Sequence, residues 1–489
     1  MNPTQRLFSN TALAFVTRII AKFSDVLLFI IIGRMMGPEQ AGVFRLGKTY
    51  LTLALAFSAW GLDDLLVREA APRRNSSNQY LVNFMALRLV LALGAFVLLA
   101  VGVLGLPLPY SQQAIAVILI YSLAIFAEAA YVLFESIFIA YEKLGVPTLA
   151  AVVNGGVKLV GGVLLLMVTQ NVVTTAWIIP LGSTLSLFVF VPALIRLYRT
   201  FPQELPTRLS LRFTLEQLRH IPGFIMIGIF YNINAQQDTF LVSLYLSETE
   251  LGYYGAAQTL LMGILMLSAA VRTAVYPLMA RYHTHSPDKL PHFYRKLYQY
   301  ITIGILPITV VICVLAGPII TLIFTDSFAP AAPALALMIW EVFFTFLHIP
   351  NARLMLVNNR QKQLGWITGL TMLFNLGLNL WLLPLYGIYG PAFARPLAAF
   401  LAFWLTNIYV QRHLMPNKLL PILLRPMVAS GLMTLAMWPL RQQFILIPVL
   451  VGGLVYGGVI LITGAFTLED RLYLKQLFAR NRSINEIEP

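Results

Sequence analysis

The chain has 489 residues, 58% of them hydrophobic and only 11% charged, with a mean hydropathy of +0.77. A water-soluble domain of that composition would have too little polar surface to face solvent, so the chain reads as a polytopic membrane protein. The formal charge of +14 would point a soluble chain toward nucleic acid, but here the excess sits in loops, where membrane orientation already requires it, and no nucleic-acid partner is expected.

Apolar runs long enough to cross the ~30 Å hydrocarbon core recur from end to end. They predict about fourteen spans, starting near residues 10, 43, 81, 113, 145, 174, 221, 252, 298, 331, 364, 390, 421 and 444. The start, MNPTQRLFSNTALAFVTRIIAKF, lacks the short apolar core and small-residue cleavage site of a signal peptide. The single cysteine, Cys313, lies in an apolar run and allows neither an intramolecular disulfide nor a cysteine-based metal site.

The loops sort by charge. Arg68, Arg73 and Arg74, Lys143, the five arginines from Arg196 to Arg219, Arg281 to Lys296, Arg353 to Lys362, Arg412 to Arg425 and the arginines of the tail fall on one side. The opposite loops, such as Pro38-Glu39, Leu106-Pro109 and Ser247-Glu250, carry almost no cation beyond Arg34 and Arg441. This asymmetry places both termini in the cytoplasm. The polar stretch 199–220 reads as a cytoplasmic linker lying along the anionic inner leaflet. The expected organisation is a first six-helix lobe over 1–198, that linker, a second lobe over 221–412, two further helices over 413–466 and a cytoplasmic tail over 467–489.

The halves repeat one another. GPEQAGVFRLGKTYLTLAL (37–55) matches ETELGYYGAAQTLLMGIL (248–265) at an offset of 210, setting Gly42 on Gly252 and Thr49 on Thr259. A second match sets Asn154 on Asn375. Both run in the same direction through the membrane, as parallel repeats do in two-lobed transporters. The glycine pairs Gly155-Gly156 and Gly161-Gly162 read first as packing positions.

The run IGRMMGPEQAGVFRLGKTYLTLALAFSAWGLDDLLVREAA resembles the start of polysaccharide flippases of the multidrug/oligosaccharidyl-lipid/polysaccharide exporter superfamily. ELGYYGAAQTLL, VYPLMARY and WLLPLYGIYGPAFARPLA resemble later portions in the same order. The resemblance implies an all-α, fourteen-helix carrier with two six-helix lobes and two C-terminal helices. It also implies transport of undecaprenyl-diphosphate-linked sugars across the bacterial cytoplasmic membrane. A lipid II flippase and a multidrug exporter of the same superfamily remain open.

Six cations fall inside predicted spans of the first half: Arg18, Lys22, Arg45, Lys48, Arg88 and Lys158. A cation at bilayer depth costs at least ~2.5–3.5 kcal/mol, so such residues usually face a protein-lined, watery cavity. They are the expected diphosphate ligands, since Arg and Lys donors suit phosphate oxygens. Structural pairing competes: Asp25 is placed to neutralise Lys22, and Arg45, expected ~5–9 Å from its helix end along with Lys48, could snorkel. Asn232, Asn234, Gln237 and Gln258 are the expected sugar contacts. Asp25, Asp238 and Glu341 are candidates to bind a coupling H⁺ or Na⁺, with a paired structural acid the alternative for each. Asp63 and Asp64 read as a cap or gate pair beside Arg68. His283, His285 and His292 lie in a basic stretch unsuited to a metal, so no metal and no cofactor is expected. Short outer loops and the lack of a nucleophile–base set argue for a transporter rather than an enzyme.

Overall fold

The computed structural model describes the backbone of residues 3–203, 208–218, 222–417 and 419–464, and the side chains among them except those of 3–22, 218 and 222–233. Arg18, Lys22 and Asn232 therefore lie outside the described side chains. Among the described residues the chain is helical throughout, without a strand. The helices are α1 (Pro3–Ala59), α2 (Leu62–Ala70), α3 (Ser77–Gly105), α4 (Gln112–Ala140), α5 (Gly145–Thr169) and α6 (Val172–Thr200). They continue as α7 (Leu211–Leu218), α8 (Pro222–Tyr245), α9 (Glu248–His285), α10 (Leu290–Val314), followed by a short helix at Ala316–Ile323, and α11 (Ala331–Val357). The last four are α12 (Gln361–Tyr386), α13 (Tyr389–His413), α14 (Leu420–Met437) and α15 (Leu446–Ile462).

Among the described residues, eleven helices are long and apolar enough to cross a membrane. Dividing α1 at its kink and adding α8 and α15 gives the fourteen spans expected. The protein is a multi-pass membrane protein whose surface is correspondingly inverted. Leu98, Val168, Leu454 and Ile462 are more than two-thirds exposed and face where lipid tails lie.

Two compact units divide the chain, residues 1–256 and 257–489. In the first, α1 changes course at Gly37, where φ is 83° and ψ −178°. Glycine reaches that left-handed φ without steric cost, and Pro38 suits a first helical turn because its missing N–H would be unbonded there. The outer loop expected at Pro38-Glu39 is thus a kink, and the second limb of α1 begins at residue 38 rather than near 43. Arg45 and Lys48 consequently lie ~10 and ~15 Å along it, deeper than the sequence indicated.

The tightest crossing in this unit joins the two copies of the repeat. A Cβ on Gly42 would run into the backbone carbonyl of Glu248, and one on Gly252 would run into that of Pro38. Residues 38 and 248 are themselves related by the offset of 210, so the contact is reciprocal. Around it, Tyr50 shares a hydrogen bond with Tyr110 (3.0 Å), Tyr110 with Ser243 (3.0 Å), and the Ser111 N–H donates to Glu248 Oε1 (2.8 Å).

Toward the other end of the unit, Phe190 packs among Tyr131, Phe134 and Phe138 at ring separations of 5.1, 5.8 and 5.8 Å, and α2 buries Leu62, Leu65 and Leu66 in the same core. The stretch before α7 is tied to α3: the Ser210 N–H donates to Asn83 Oδ1 at 2.7 Å, and Asn83 Nδ2 donates to the Arg208 carbonyl at 3.0 Å. Leu211 and Leu215 on α7 stay exposed beside Arg212, an amphipathic surface suited to the inner leaflet.

Adding even one carbon at the crossing forces the helices apart. Gly42→Ala and Gly252→Ala should each destabilise the protein by about 1–3 kcal/mol, the usual cost of overpacking. Gly94→Ala, where a Cβ meets nothing within 4 Å, should not. Thermal unfolding in detergent measures all three; equal melting temperatures would mean the crossing is looser than described.

Candidate functional site

Charged side chains from both limbs of α1, from α4 and from α5 meet inside unit 1. Asp25, on the first limb of α1, accepts a hydrogen bond from Lys48 on the second limb and forms an ion pair with it. The pairing of Asp25 with Lys22 considered from sequence lies outside the described side chains; among the described ones, the kink brings Asp25 to Lys48. The fields of Lys48, Lys158 and Arg45 all act on the Asp25 carboxylate, which places these four groups in one cluster.

Lys158 is delivered by an irregularity in α5. Residues Val157–Gly161 form a π-helical turn, which holds one residue more than an α-turn and re-aims the side chains beyond it. Lys158 Nζ lies 3.7 Å from Glu128 Oε1 on α4, and that oxygen also accepts a 2.5 Å hydrogen bond from Ser183 Oγ on α6. The nearby glycines act as packing positions: side chains on Gly161 and Gly162 would strike Ile178 and Leu28. Arg45 is half-buried, its guanidinium 6.0 Å from the centre of the Phe29 ring. Among Arg45, Lys48, Lys158, Asp25 and Glu128, three cations face two carboxylates, so the group carries one net positive charge.

Arg88 stands apart. It is 2% exposed on α3 and faces Asp63 on α2, with Nη1 at 3.8 Å from Oδ1 and no hydrogen bond on Nε or Nη1. Asp63 therefore pairs across helices with Arg88, and Arg68 instead binds its neighbour Glu69 at 2.9 Å. Burial and the adjacent Asp63 push the Asp64 carboxyl above the usual range.

On α8, Asp238 and Gln237 are buried at 1% and 5% exposure, while Asn234 is exposed. Gln237 Nε2 donates to Asn234 Oδ1 at 3.3 Å, and its Oε1 has no hydrogen-bond partner. In unit 2, Gln258 is buried on α9. Glu341 on α11 is gripped by Arg395 on α13 through two bonds, Nε to Oε2 at 2.6 Å and Nη2 to Oε1 at 3.1 Å. His348 Nδ1 lies 3.2 Å from Thr406 Oγ1. Among the described residues no group of three metal-ligating side chains occurs.

Sequence reasoning missed every inter-helix partner: Lys48 for Asp25, Glu128 for Lys158, Asp63 for Arg88, Arg395 for Glu341. Each pair joins different helical segments, and no spacing along the chain encodes it. It also missed the hydrogen-bonded chain of Tyr50, Tyr110 and Ser243, since tyrosines near helix ends are ordinary in membrane proteins.

The family model described as "Polysaccharide biosynthesis protein" matches residues 7–283, and the MatE model matches 224–381. No curated protein sequence matches the chain. Among solved structures, the chain is similar to a lipid II flippase, MurJ, in an inward closed conformation. The TM-score is 0.75 at 16% identity, over 94% of this chain and 99% of that one. It is also similar to an inward-facing multidrug resistance MATE family transporter of the MOP superfamily, with a TM-score of 0.62 at 14% identity, over 82% of this chain and 97% of that one. A MOP superfamily transporter from Pyrococcus furiosus matches with a TM-score of 0.56 at 13% identity, over 84% of this chain and 96% of that one. Identities this low establish a common fold.

Glu341 and Arg395 are 15% and 8% exposed, so removing one partner strands the other. Glu341→Gln should destabilise by about 3 kcal/mol, and the double variant Glu341→Gln/Arg395→Met should recover most of that loss. A double-mutant cycle of thermal stability reads it; additive losses would show the two groups uncoupled.

Proposed function

This chain belongs to the polysaccharide biosynthesis protein family, and we propose that it flips an undecaprenyl-diphosphate-linked oligosaccharide from the cytoplasmic to the outer leaflet of the bacterial cytoplasmic membrane. The observation that carries this reading is the cluster of Arg45, Lys48 and Lys158 around Asp25, net positive and set within spanning helices. An anionic headgroup is the ligand such a cluster favours, and a cationic drug is the one it repels.

Arg45, Lys48 and Lys158 bind the diphosphate, joined by Arg18 and Lys22 from the first limb of α1. Arg88, buried against Asp63 apart from this cluster, reaches the headgroup when that pair is exchanged for the diphosphate. Asp25 and Glu128 keep the two lysines aimed while the site is empty. An arriving diphosphate competes for the same ammonium groups, so binding is an exchange of partners rather than a new desolvation. Asn232, Asn234, Gln237 and Gln258 contact sugars through neutral hydrogen bonds, and the unbonded Oε1 of Gln237 is a ready acceptor.

Asp25, Asp238 and Glu341 are the candidate coupling-ion ligands, Asp238 buried at 1% exposure, Asp25 paired with Lys48 and Glu341 with Arg395. Residues 1–198 and 221–412 act as the two lobes of an alternating-access carrier, with 199–220 as linker and both termini in the cytoplasm. Transport is driven by H⁺ or Na⁺ and involves no chemistry on the substrate.

The test is flipping by the purified protein in vesicles supplied with a defined lipid-linked oligosaccharide, lipid II or a cationic dye. The oligosaccharide should cross, and Lys158→Gln or Arg45→Gln should slow it at least tenfold, the equivalent of about 1.4 kcal/mol. Lys22→Ala should abolish it in protein that still inserts. Preference for lipid II would reassign the cargo, and movement of the dye alone would overturn the reading. Asp238→Asn should remove any dependence on the ion gradient.

A further inference from the structure

We propose that α10 and α14 form a binding site for the headgroup of an anionic phospholipid of the cytoplasmic leaflet, separate from the cargo site. A cavity of about 300 Å³ is lined by His292, Arg295, Lys296 and Gln299 of α10 and by Ile422 of α14. The four α10 residues are spaced i, i+3, i+4 and i+7, so they form one stripe of the helix. Among the described residues, no acidic side chain lines the cavity.

The stripe is held in place from behind. Tyr294 and Tyr298, one turn apart on α10, are fully buried. Tyr294 hydrogen-bonds Asn351 of α11 and accepts from Asn417 Nδ2 at 3.0 Å, and Tyr298 donates to the Leu347 carbonyl at 2.9 Å. Asn417 also donates to Asn407 Oδ1 at 3.1 Å, fixing the approach to α14. These bonds set the rotation of α10, so the cations are presented to the cavity by a locked helix face rather than by a swinging loop.

Location selects the occupant. These residues start α10 at the cation-rich stretch from Arg281 to Lys296, which the charge asymmetry of the loops assigns to the cytoplasmic leaflet. Basic pockets between spanning helices on that side suit anionic headgroups, with each Lys or Arg near the surface favouring them substantially. Ile422 and the exposed Leu420 and Leu424 of α14 continue the surface into the apolar zone, where acyl chains lie. A soluble phosphate would gain nothing from that apolar continuation.

Native mass spectrometry of the full chain in neutral detergent tests the site, with cardiolipin, phosphatidylglycerol, phosphatidylcholine or inorganic phosphate added. The wild type should retain cardiolipin and phosphatidylglycerol in preference to phosphatidylcholine. Arg295→Gln/Lys296→Gln should weaken that retention roughly 30-fold. Arg360→Gln/Lys362→Gln, which removes two exposed cations elsewhere, should leave it unchanged. Ile422→Trp fills the cavity without touching its charge and should also expel the lipid. Equal retention by all variants, no preference for anionic lipid, or phosphate bound as tightly as the lipid would each overturn the proposal.

Discussion

A charge inside the hydrocarbon layer has to find an opposite charge or water, and this requirement organises the interior of the protein. It explains why Asp25 reaches back across the kink to Lys48, why Lys158 is met by Glu128, why Arg88 is met by Asp63, and why Arg395 grips Glu341 with two bonds. These pairings are costly to assemble, because each ion loses water, and costlier to break, because the survivor has nowhere to go. Ion pairs of this kind serve better to fix helices in register than to stabilise them. In unit 1 they tie both limbs of α1, α4 and α5 to defined rotations, which leaves their cations aimed and accessible to a ligand able to replace a carboxylate.

The two glycines at the reciprocal crossing serve the same purpose by shape instead of charge. With no side chain at either position, the second limb of α1 and the start of α9 meet backbone to backbone. Packing against backbone gives membrane helices specificity where hydrophobicity cannot, since lipid is as apolar as leucine.

Much of this was legible in the chain. Hydropathy located the spans because a helix is nearly forced on any segment that crosses lipid. The offset of 210 aligned Gly42 with Gly252 as repeat equivalents without saying that they touch, and the fold brings those two residues together. Charge sorting among loops identified the basic stretch from Arg281 to Lys296. What stayed hidden was everything set by the third dimension. Pro38 and Glu39 read as a loop because turn residues in sequence do not say whether a chain kinks or opens. Asp25 and Lys48 are 23 residues apart on two limbs, and their meeting depends on the single φ of Gly37. His292 seemed idle because its companions are defined only when Tyr294 and Tyr298 fix which way α10 faces.

The π-turn of α5 bears on how two similar halves came to do different work. Its counterpart in the repeat, α12, runs as an unbroken α-helix from Gln361 to Tyr386. A π-turn holds one residue more than an α-turn, and beyond it the helix surface is rotated by about 100° relative to a regular helix. Lys158 lies within that turn. A duplicated ancestor with matching faces needs no wholesale redesign to become asymmetric. The copy with the π-turn places a cation there, Lys158, and at the register that sets Asn154 on Asn375 the copy without it places a neutral side chain, Asn379.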